Sequence, residues 1–169
     1  MKKLGLVLSV CGFGLLAGLA HAETPDAKES TQYFQDWQLK CVEQGENKQC
    51  NAVQALRSEQ GQTAAMINVS RIGGVDVVEF AMPLLLDLER GAQLNIDGVE
   101  FTSYSFKTCS SAACFIVREN DEALLEKFRN GVLAQFNLST FQGQNVELNI
   151  SLKGFAAAVD ALASETASE

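Results

Sequence analysis

The sequence predicts a mainly β domain, a sandwich or barrel with two short helices packed on it. Apolar and polar residues alternate in many short runs, which is the pattern of half-buried strands. Turn residues such as Gly73-Gly74 and Asp97-Gly98 separate the runs, at the spacing typical of all-β domains. Only two later segments change to the helical period.

The strand-like runs follow one another from residue 34 to residue 152. In the first run, Trp37, Leu39 and Cys41 lie on one face and Gln38 and Lys40 on the other, so we expect Trp37 in the core. The runs cover residues 34–42, 50–56, 64–72, 75–82, 84–89, 93–96, 99–107, 114–118, 132–139 and 146–152.

Asp97-Gly98 stands between two of these runs and is a strong signal for a two-residue hairpin turn. The oxygen-bearing side chains of Asn95, Asp97 and Glu100 also suggest a calcium site. The hairpin explains them more simply, and the longer loop of known calcium motifs is missing.

Two segments predict helices. Residues 120–131 begin with Asp121 and Glu122, carry Lys127 and Arg129 in the last turn and end at Gly131, as the helix dipole favours. A second, more apolar helix is predicted at about residues 155–162.

Residues 1–22 have the regions of a secretory signal peptide. Lys2 and Lys3 form the basic region, an uncharged apolar run follows, and Ala20-His21-Ala22 matches an A-x-A cleavage site. An N-terminal membrane anchor is the alternative, but no basic stop-transfer cluster follows the run. We therefore expect an exported protein, most simply periplasmic, with the outer surface or secretion as alternatives.

Cleavage after Ala22 would remove His21 and Cys11. Residues 23–32 are polar and contain Pro25, which predicts a disordered leader. Residues 33–163 have the length of a single domain, and residues 164–169 form a polar tail expected to be disordered. No membrane span is expected after signal cleavage.

The four remaining cysteines predict disulfide bonds, because the compartment oxidises thiols. Three pairings are possible. Cys41 and Cys50 bracket one polar turn, and Cys109 and Cys114 bracket another, so neighbour pairing is the simplest choice. A zinc site is disfavoured because Cys41 and Cys50 are too far apart for the usual C-x2-4-C knuckle, no histidine remains after cleavage and the compartment oxidises thiols. A thioredoxin-like pair requires the two-residue spacing.

The chain resembles the invasion-associated locus B family of bacterial exported proteins over residues 33–163. The residues that carry the resemblance are Phe34-x-Asp36-Trp37-x3-Cys41, Cys50, Pro83-Leu84 with Gly91, Asp97-Gly98, Phe106-x2-Cys109-x4-Cys114 and Ser151-Leu152-x-Gly154-Phe155. The resemblance implies an immunoglobulin-like β-sandwich in the cell envelope, associated in some pathogens with entry into host cells, and implies no catalytic residue. One position departs from the family pattern: Leu85 stands where a glycine is usual, so we expect a different loop conformation there.

The residues favour binding over catalysis. With His21 and Cys11 removed by cleavage and the other cysteines paired, the nucleophilic triads are excluded and only carboxylates remain. The candidates for glycan hydrolysis are Asp76, Glu79, Asp87 and Glu89, of which Asp87 and Glu89 are predicted on one strand face. Acidic side chains are common on the solvent-exposed face of a strand, so their presence there does not by itself indicate catalysis.

The leading hypothesis is a non-enzymatic envelope protein that binds an envelope or host macromolecule, most simply a protein. A carboxylate-based glycan hydrolase and a periplasmic assembly factor are the alternatives. A formal net charge of −8 disfavours nucleic acid and anionic membrane surfaces as partners. No cofactor or metal is expected, and the oligomeric state is not predicted.

Overall fold

The structure is a computed structural model that describes residues 27–166. The predicted signal peptide lies outside the described residues, as do the first part of the leader and residues 167–169. The described chain forms these elements in order: β1 (Lys28–Phe34), β2 (Trp37–Gln44), β3 (Asn47–Arg57), β4 (Thr63–Ile72), β5 (Val75–Met82), β6 (Ala92–Ile96), β7 (Val99–Tyr104), β8 (Thr108–Cys109), β9 (Cys114–Glu119), α1 (Glu122–Asn130), β10 (Leu133–Ser139), β11 (Asn145–Ser151) and α2 (Phe155–Thr166).

Two antiparallel sheets pack together, and this confirms the predicted mainly β sandwich with two helices. The larger sheet has the order β1-β2-β3-β4-β5-β9-β8, and the smaller sheet has the order β11-β10-β6-β7. The first five strands form a meander joined by short turns. The chain then crosses to the smaller sheet for β6 and β7, returns for β8 and β9, and finishes in the smaller sheet before α2.

Aromatic side chains join the sheets and the helices in one core. The rings of Phe80 in the larger sheet and Phe136 in the smaller sheet lie edge to face, with centroids 4.9 Å apart. Phe128 of α1 contacts both Phe80 and Phe155 of α2. Trp37 packs on Phe155 at 4.9 Å and is fully buried, so its predicted core position is confirmed.

Helix α1 begins where the sequence predicts, because Asp121 caps it. The Asp121 carboxylate accepts hydrogen bonds from the Leu124 backbone N–H, the Arg118 guanidinium and the Tyr104 hydroxyl. Partial burial raises the pKa of Asp121, but these hydrogen bonds outweigh it and hold the pKa below its usual value. The three partners come from β7, β9 and α1, so one carboxylate connects both sheets with the helix.

The Asp97-Gly98 hairpin is also confirmed. Both residues have positive φ, 51° and 78°, and they join β6 to β7. The Asp97 carboxylate accepts hydrogen bonds from the backbone N–H groups of Val132 and Leu133 at the start of β10. This carboxylate therefore has a structural role that the sequence did not indicate.

The chain ends of the domain differ from the prediction. Residues 28–32, predicted as part of a disordered leader, belong to β1, which pairs with β2 along its whole length. Pairing supplies the backbone hydrogen bonds of β2, whose inward side chains are buried. Residues 164–166, predicted as tail, are the last turn of α2, where the Thr166 hydroxyl donates to the Leu162 carbonyl.

The predicted strand at residues 84–89 is wrong. Residues 83–91 form an irregular connection, here called the leucine loop, with one isolated bridge between Leu86 and Thr140. Pro83 has no N–H to donate and Leu85 has a positive φ of 66°, so neither suits the interior of a strand.

Candidate functional site

The disulfides stabilise two tight turns of the larger sheet. Cys41 pairs with Cys50 across β2 and β3, and Cys109 pairs with Cys114 across β8 and β9, as the spacing predicts. Each pair of cysteines also occupies directly opposed strand positions. The second disulfide holds the turn containing Ala112 and Ala113 beside the end of β5.

That turn forms one wall of an apolar groove on the outer face of the larger sheet. The floor is a row of directly paired residues from β4, β5 and β9, namely Met66, Ala81 and Phe115. Pro83 and Leu84 of the leucine loop form the other wall, and the groove has a volume of about 630 Å³. None of the residues that line it carries a charge, although the chain as a whole has a net charge of −8.

The rim of the groove is polar and comes from the turn between β3 and β4. Ser58, Gln62 and Thr63 line this side. The Ser58 hydroxyl oxygen is buried and has no hydrogen-bond partner within residues 27–166. A buried hydroxyl without a partner is unusual in a folded protein, and at this depth the oxygen is out of reach of a ligand in the groove.

Leu85 stands next to the groove in a conformation that leucine rarely adopts. Its φ of 66° lies in the left-handed region, and its side chain is 70% exposed. The Leu85 carbonyl accepts a hydrogen bond of 3.0 Å from the backbone N–H of Phe141, which fixes the backbone in this geometry. The loop thus has the backbone that suits a glycine at this position, and the strain is of the kind that concentrates at functional sites.

The four candidate catalytic carboxylates do not form one site. Asp76 and Glu79 are three residues apart on β5 and therefore project to opposite faces. Asp76 accepts two hydrogen bonds from Arg71, at 2.8 and 3.0 Å. Asp87 and Glu89 lie in the leucine loop rather than on one strand face, and Asp87 pairs with Arg90 at 3.2 Å.

Residues 27–166 contain no group of three or more acidic, histidine or cysteine side chains placed to hold a metal ion. The Asn95, Asp97 and Glu100 triplet is occupied in a different way at its central residue. Asp97 instead uses its carboxylate to bind backbone N–H groups of β10.

The first and last of the motifs that carry the family resemblance meet in space at a structural junction. The Trp37 indole N–H donates to the Ser151 carbonyl at 2.9 Å, and the Ser151 hydroxyl donates to the Asp36 carboxylate at 2.6 Å. Gln54, which sequence reasoning missed, is buried and donates to the carbonyls of both Asp36 and Ser151. Gly154 follows, where a Cβ would lie 1.9 Å from the Phe34 carbonyl oxygen. This junction ties the start of β2 to the end of β11 and the start of α2, which is a structural role.

Sequence reasoning also missed the apolar groove. Its signal was present in outward strand positions that break the alternation: Met66 and Phe115 occupy places where a wet sheet face normally has polar residues. The periodicity of a single strand cannot reveal that such positions are neighbours, because the neighbourhood depends on sheet order.

Comparison with known proteins agrees with the sequence motifs. Residues 37–163 match the family described as invasion associated locus B (IalB) protein. Two curated relatives, the invasion protein B homologs of Brucella abortus strain 2308 and of Brucella abortus biovar 1 strain 9-941, are each 31% identical over 164 residues, which cover 94% of this chain and 94% of each relative.

A solved structure shares the fold. The crystal structure of invasion associated protein b from Bartonella henselae has a TM-score of 0.72 with 18% sequence identity, and the match covers 82% of this chain and 98% of that chain. Across residues 27–166, the helices are all too short or too polar to cross a membrane.

Proposed function

Because the chain belongs to the invasion-associated locus B family, we propose that it is an exported, non-enzymatic envelope protein that binds another protein at the apolar groove. The observation that carries the proposal is the uncharged groove beside a strained and exposed leucine, Leu85. The partner is an envelope or host protein, and the role is in envelope integrity or host-cell interaction. The periplasm is the proposed compartment, with the outer surface as the alternative.

The composition of the groove favours a protein as its occupant. Charged residues are depleted in the centre of protein interfaces, where aromatic residues and methionine are enriched, and the floor contains Met66 and Phe115. The polar rim formed by Ser58, Gln62 and Thr63 suits a protein partner, which offers hydrogen-bonding groups around an apolar centre, whereas a hydrocarbon chain does not.

The conformation of Leu85 supports the same reading. A leucine in the left-handed region is less stable than a glycine by about 1–2 kcal/mol, and its exposed side chain gains no burial in return. Burial of that side chain against a partner would supply the missing stabilisation, at about 25 cal/mol per Å² of apolar surface. A preorganised loop also avoids the entropy of ordering on binding.

Site-specific photo-crosslinking in the exporting bacterium tests the proposal. A photoreactive residue at Leu84 should give one discrete protein adduct, which mass spectrometry identifies. Ile72 is the matched control position, because it is also exposed and lies on the same face of β4 as Met66 but at the opposite end. The adduct should be lost when Met66→Glu places a charge in the groove, and kept with Ile72→Glu.

Two results contradict the proposal. Equal crosslinking from both positions would indicate nonspecific contact. A folded Met66→Glu variant that still forms the adduct would remove the groove from the interface.

A further inference from the structure

The outer face of the smaller sheet is rich in carboxamide side chains. Its outward positions on β6, β10 and β11 include Gln93, Asn95, Gln135, Asn137 and Asn149. Asparagine is depleted in strands, and threonine or charged residues are the usual choice for a wet sheet face. This departure from strand preference on one continuous face indicates a function for the amides.

A groove runs across this face and has a volume of about 800 Å³, within the range of small-ligand clefts. Asn137 lies at its centre, directly paired with Gln93 on β6 and Glu147 on β11. Ser139 and Asn145, also a directly paired couple, continue the groove toward the turn between β10 and β11.

The amides beside the groove are ordered by contacts with one another. Gln135 donates to the Asn149 carboxamide oxygen at 3.2 Å, and Asn149 donates to the Glu147 carboxylate at 2.9 Å. These contacts hold the carboxamides in place, so that the face presents fixed hydrogen-bond donors and acceptors beside the groove.

The chemistry of this face selects the ligand class. Each carboxamide offers two donors and one acceptor oxygen, and each sugar hydroxyl is both a donor and an acceptor, so the two sets are complementary. The only charged residues lining the groove are Arg90 and Glu147, which have opposite signs. Neither a phosphate-rich nor a strongly cationic ligand fits that balance.

We propose that this groove, which we call the amide groove, binds an uncharged glycan chain. The site lies on the smaller sheet and shares no lining residue with the apolar groove of the larger sheet. Each proposal can therefore be tested, and refuted, independently of the other.

Nuclear magnetic resonance of the exported, ¹⁵N-labelled protein tests this directly, because side-chain amide groups give their own signals. Chitohexaose, cellohexaose and maltohexaose are the probes. At least one of them should shift the side-chain amide signals of Gln93, Asn137 and Asn145 in a saturable titration. Loss of one hydrogen-bonding amide in Asn137→Ala should weaken that affinity by roughly tenfold.

Asn51→Ala is the matched control, because Asn51 is an outward asparagine on β3 of the other sheet. The Asn51→Ala variant should bind the hexasaccharide with the same affinity as the unaltered protein. Asn145→Ala, at an exposed position, serves as a second variant if Asn137→Ala does not fold. The proposal is overturned if none of the hexasaccharides shifts these signals at millimolar concentration, or if a folded Asn137→Ala or Asn145→Ala variant binds as tightly as the Asn51→Ala control.

Discussion

Gly154 is the position where the structure makes its sharpest stability prediction. A Cβ at this residue would lie 1.9 Å from the carbonyl oxygen of Phe34 and 2.7 Å from its carbonyl carbon. Both atoms belong to backbone at the end of β1, so a side-chain rotation cannot relieve the contact. The substitution Gly154→Ala must therefore displace either β1 or the start of α2.

The expected loss of stability has two sources. The φ of Gly154 is +89°, which disfavours alanine by about 1–2 kcal/mol. Displacement of the backbone also weakens the hydrogen bonds from Asp36 N–H to the Lys153 carbonyl and from the Trp37 indole to the Ser151 carbonyl, each contributing about 1 kcal/mol. With looser packing of Trp37 on Phe155, we expect a decrease of about 3–5 kcal/mol in the free energy of unfolding.

Urea unfolding measures this decrease, and the fluorescence of Trp37, the single tryptophan of the sequence, reports on the junction itself. Gly143→Ala is the control, because Gly143 has a similar φ of +80° but a Cβ added there would have no atom within 4 Å. The free energy of unfolding of the control should decrease only by the conformational cost of alanine at positive φ, about 1–2 kcal/mol. Equal losses in the two variants would refute the argument that backbone contact at Gly154 is tight and rigid.

Three further substitutions test other parts of the structure. Trp37→Ala should lower the free energy of unfolding by about 3–5 kcal/mol, because the ring is fully buried; an unchanged thermal midpoint would contradict the core assignment. Leu85→Gly relieves the left-handed strain but makes the unfolded chain more flexible, so urea unfolding should show a gain of at most about 1 kcal/mol, together with a weaker crosslinked adduct. The pKa of Asp121 is lower in the folded state than in the unfolded state. The ionised carboxylate therefore stabilises the fold above the usual aspartate pKa, and this stabilisation is lost as the pH falls through the folded pKa. In Asp121→Asn, the free energy of unfolding measured against pH should lack this acid-dependent decrease.

The sequence predicts the parts of this fold that depend on neighbouring residues. The period-two pattern around Trp37, the Asp97-Gly98 turn and the charges at both ends of α1 are local signals, and each element forms where its signal lies. The disulfide spacing works for the same reason, because each bond closes a single turn.

The misses have physical causes of two kinds. Residues 28–33 of β1 are exposed on both faces, so they have no alternation to detect, and only the edge of β2 makes them a strand. In the leucine loop, by contrast, a strand pattern is present without a strand. Leu84, Leu86 and Leu88 alternate as strand residues do, but Pro83 and the positive φ of Leu85 prevent the backbone hydrogen bonds of a strand. In β1 tertiary pairing creates a strand without a local pattern, whereas in the leucine loop the local backbone overrides the pattern.

Neither candidate groove is predictable from one strand at a time. The apolar groove requires β4, β5 and β9 to be neighbours, and the amide groove requires β6, β10 and β11 to be neighbours. Non-local pairing of this kind leaves no trace in the spacing of residues along the chain. The individual side chains were visible in the sequence, but their neighbourhood was not.

The residues that identify the family and the residues proposed to bind partners are largely different sets. Trp37 and Phe155 are fully buried at the junction between β1, β2 and α2, where their side chains have no access to a partner. Such residues specify a fold, and a fold can present different surfaces in different members. Both proposed surfaces touch the motif formed by Pro83-Leu84 and Gly91, the apolar groove through Pro83-Leu84 and the amide groove through Gly91. Membership in the family therefore supports the sandwich and its disulfides, whereas the proposed choice of partner rests on surface residues such as Leu85 and those that line the grooves.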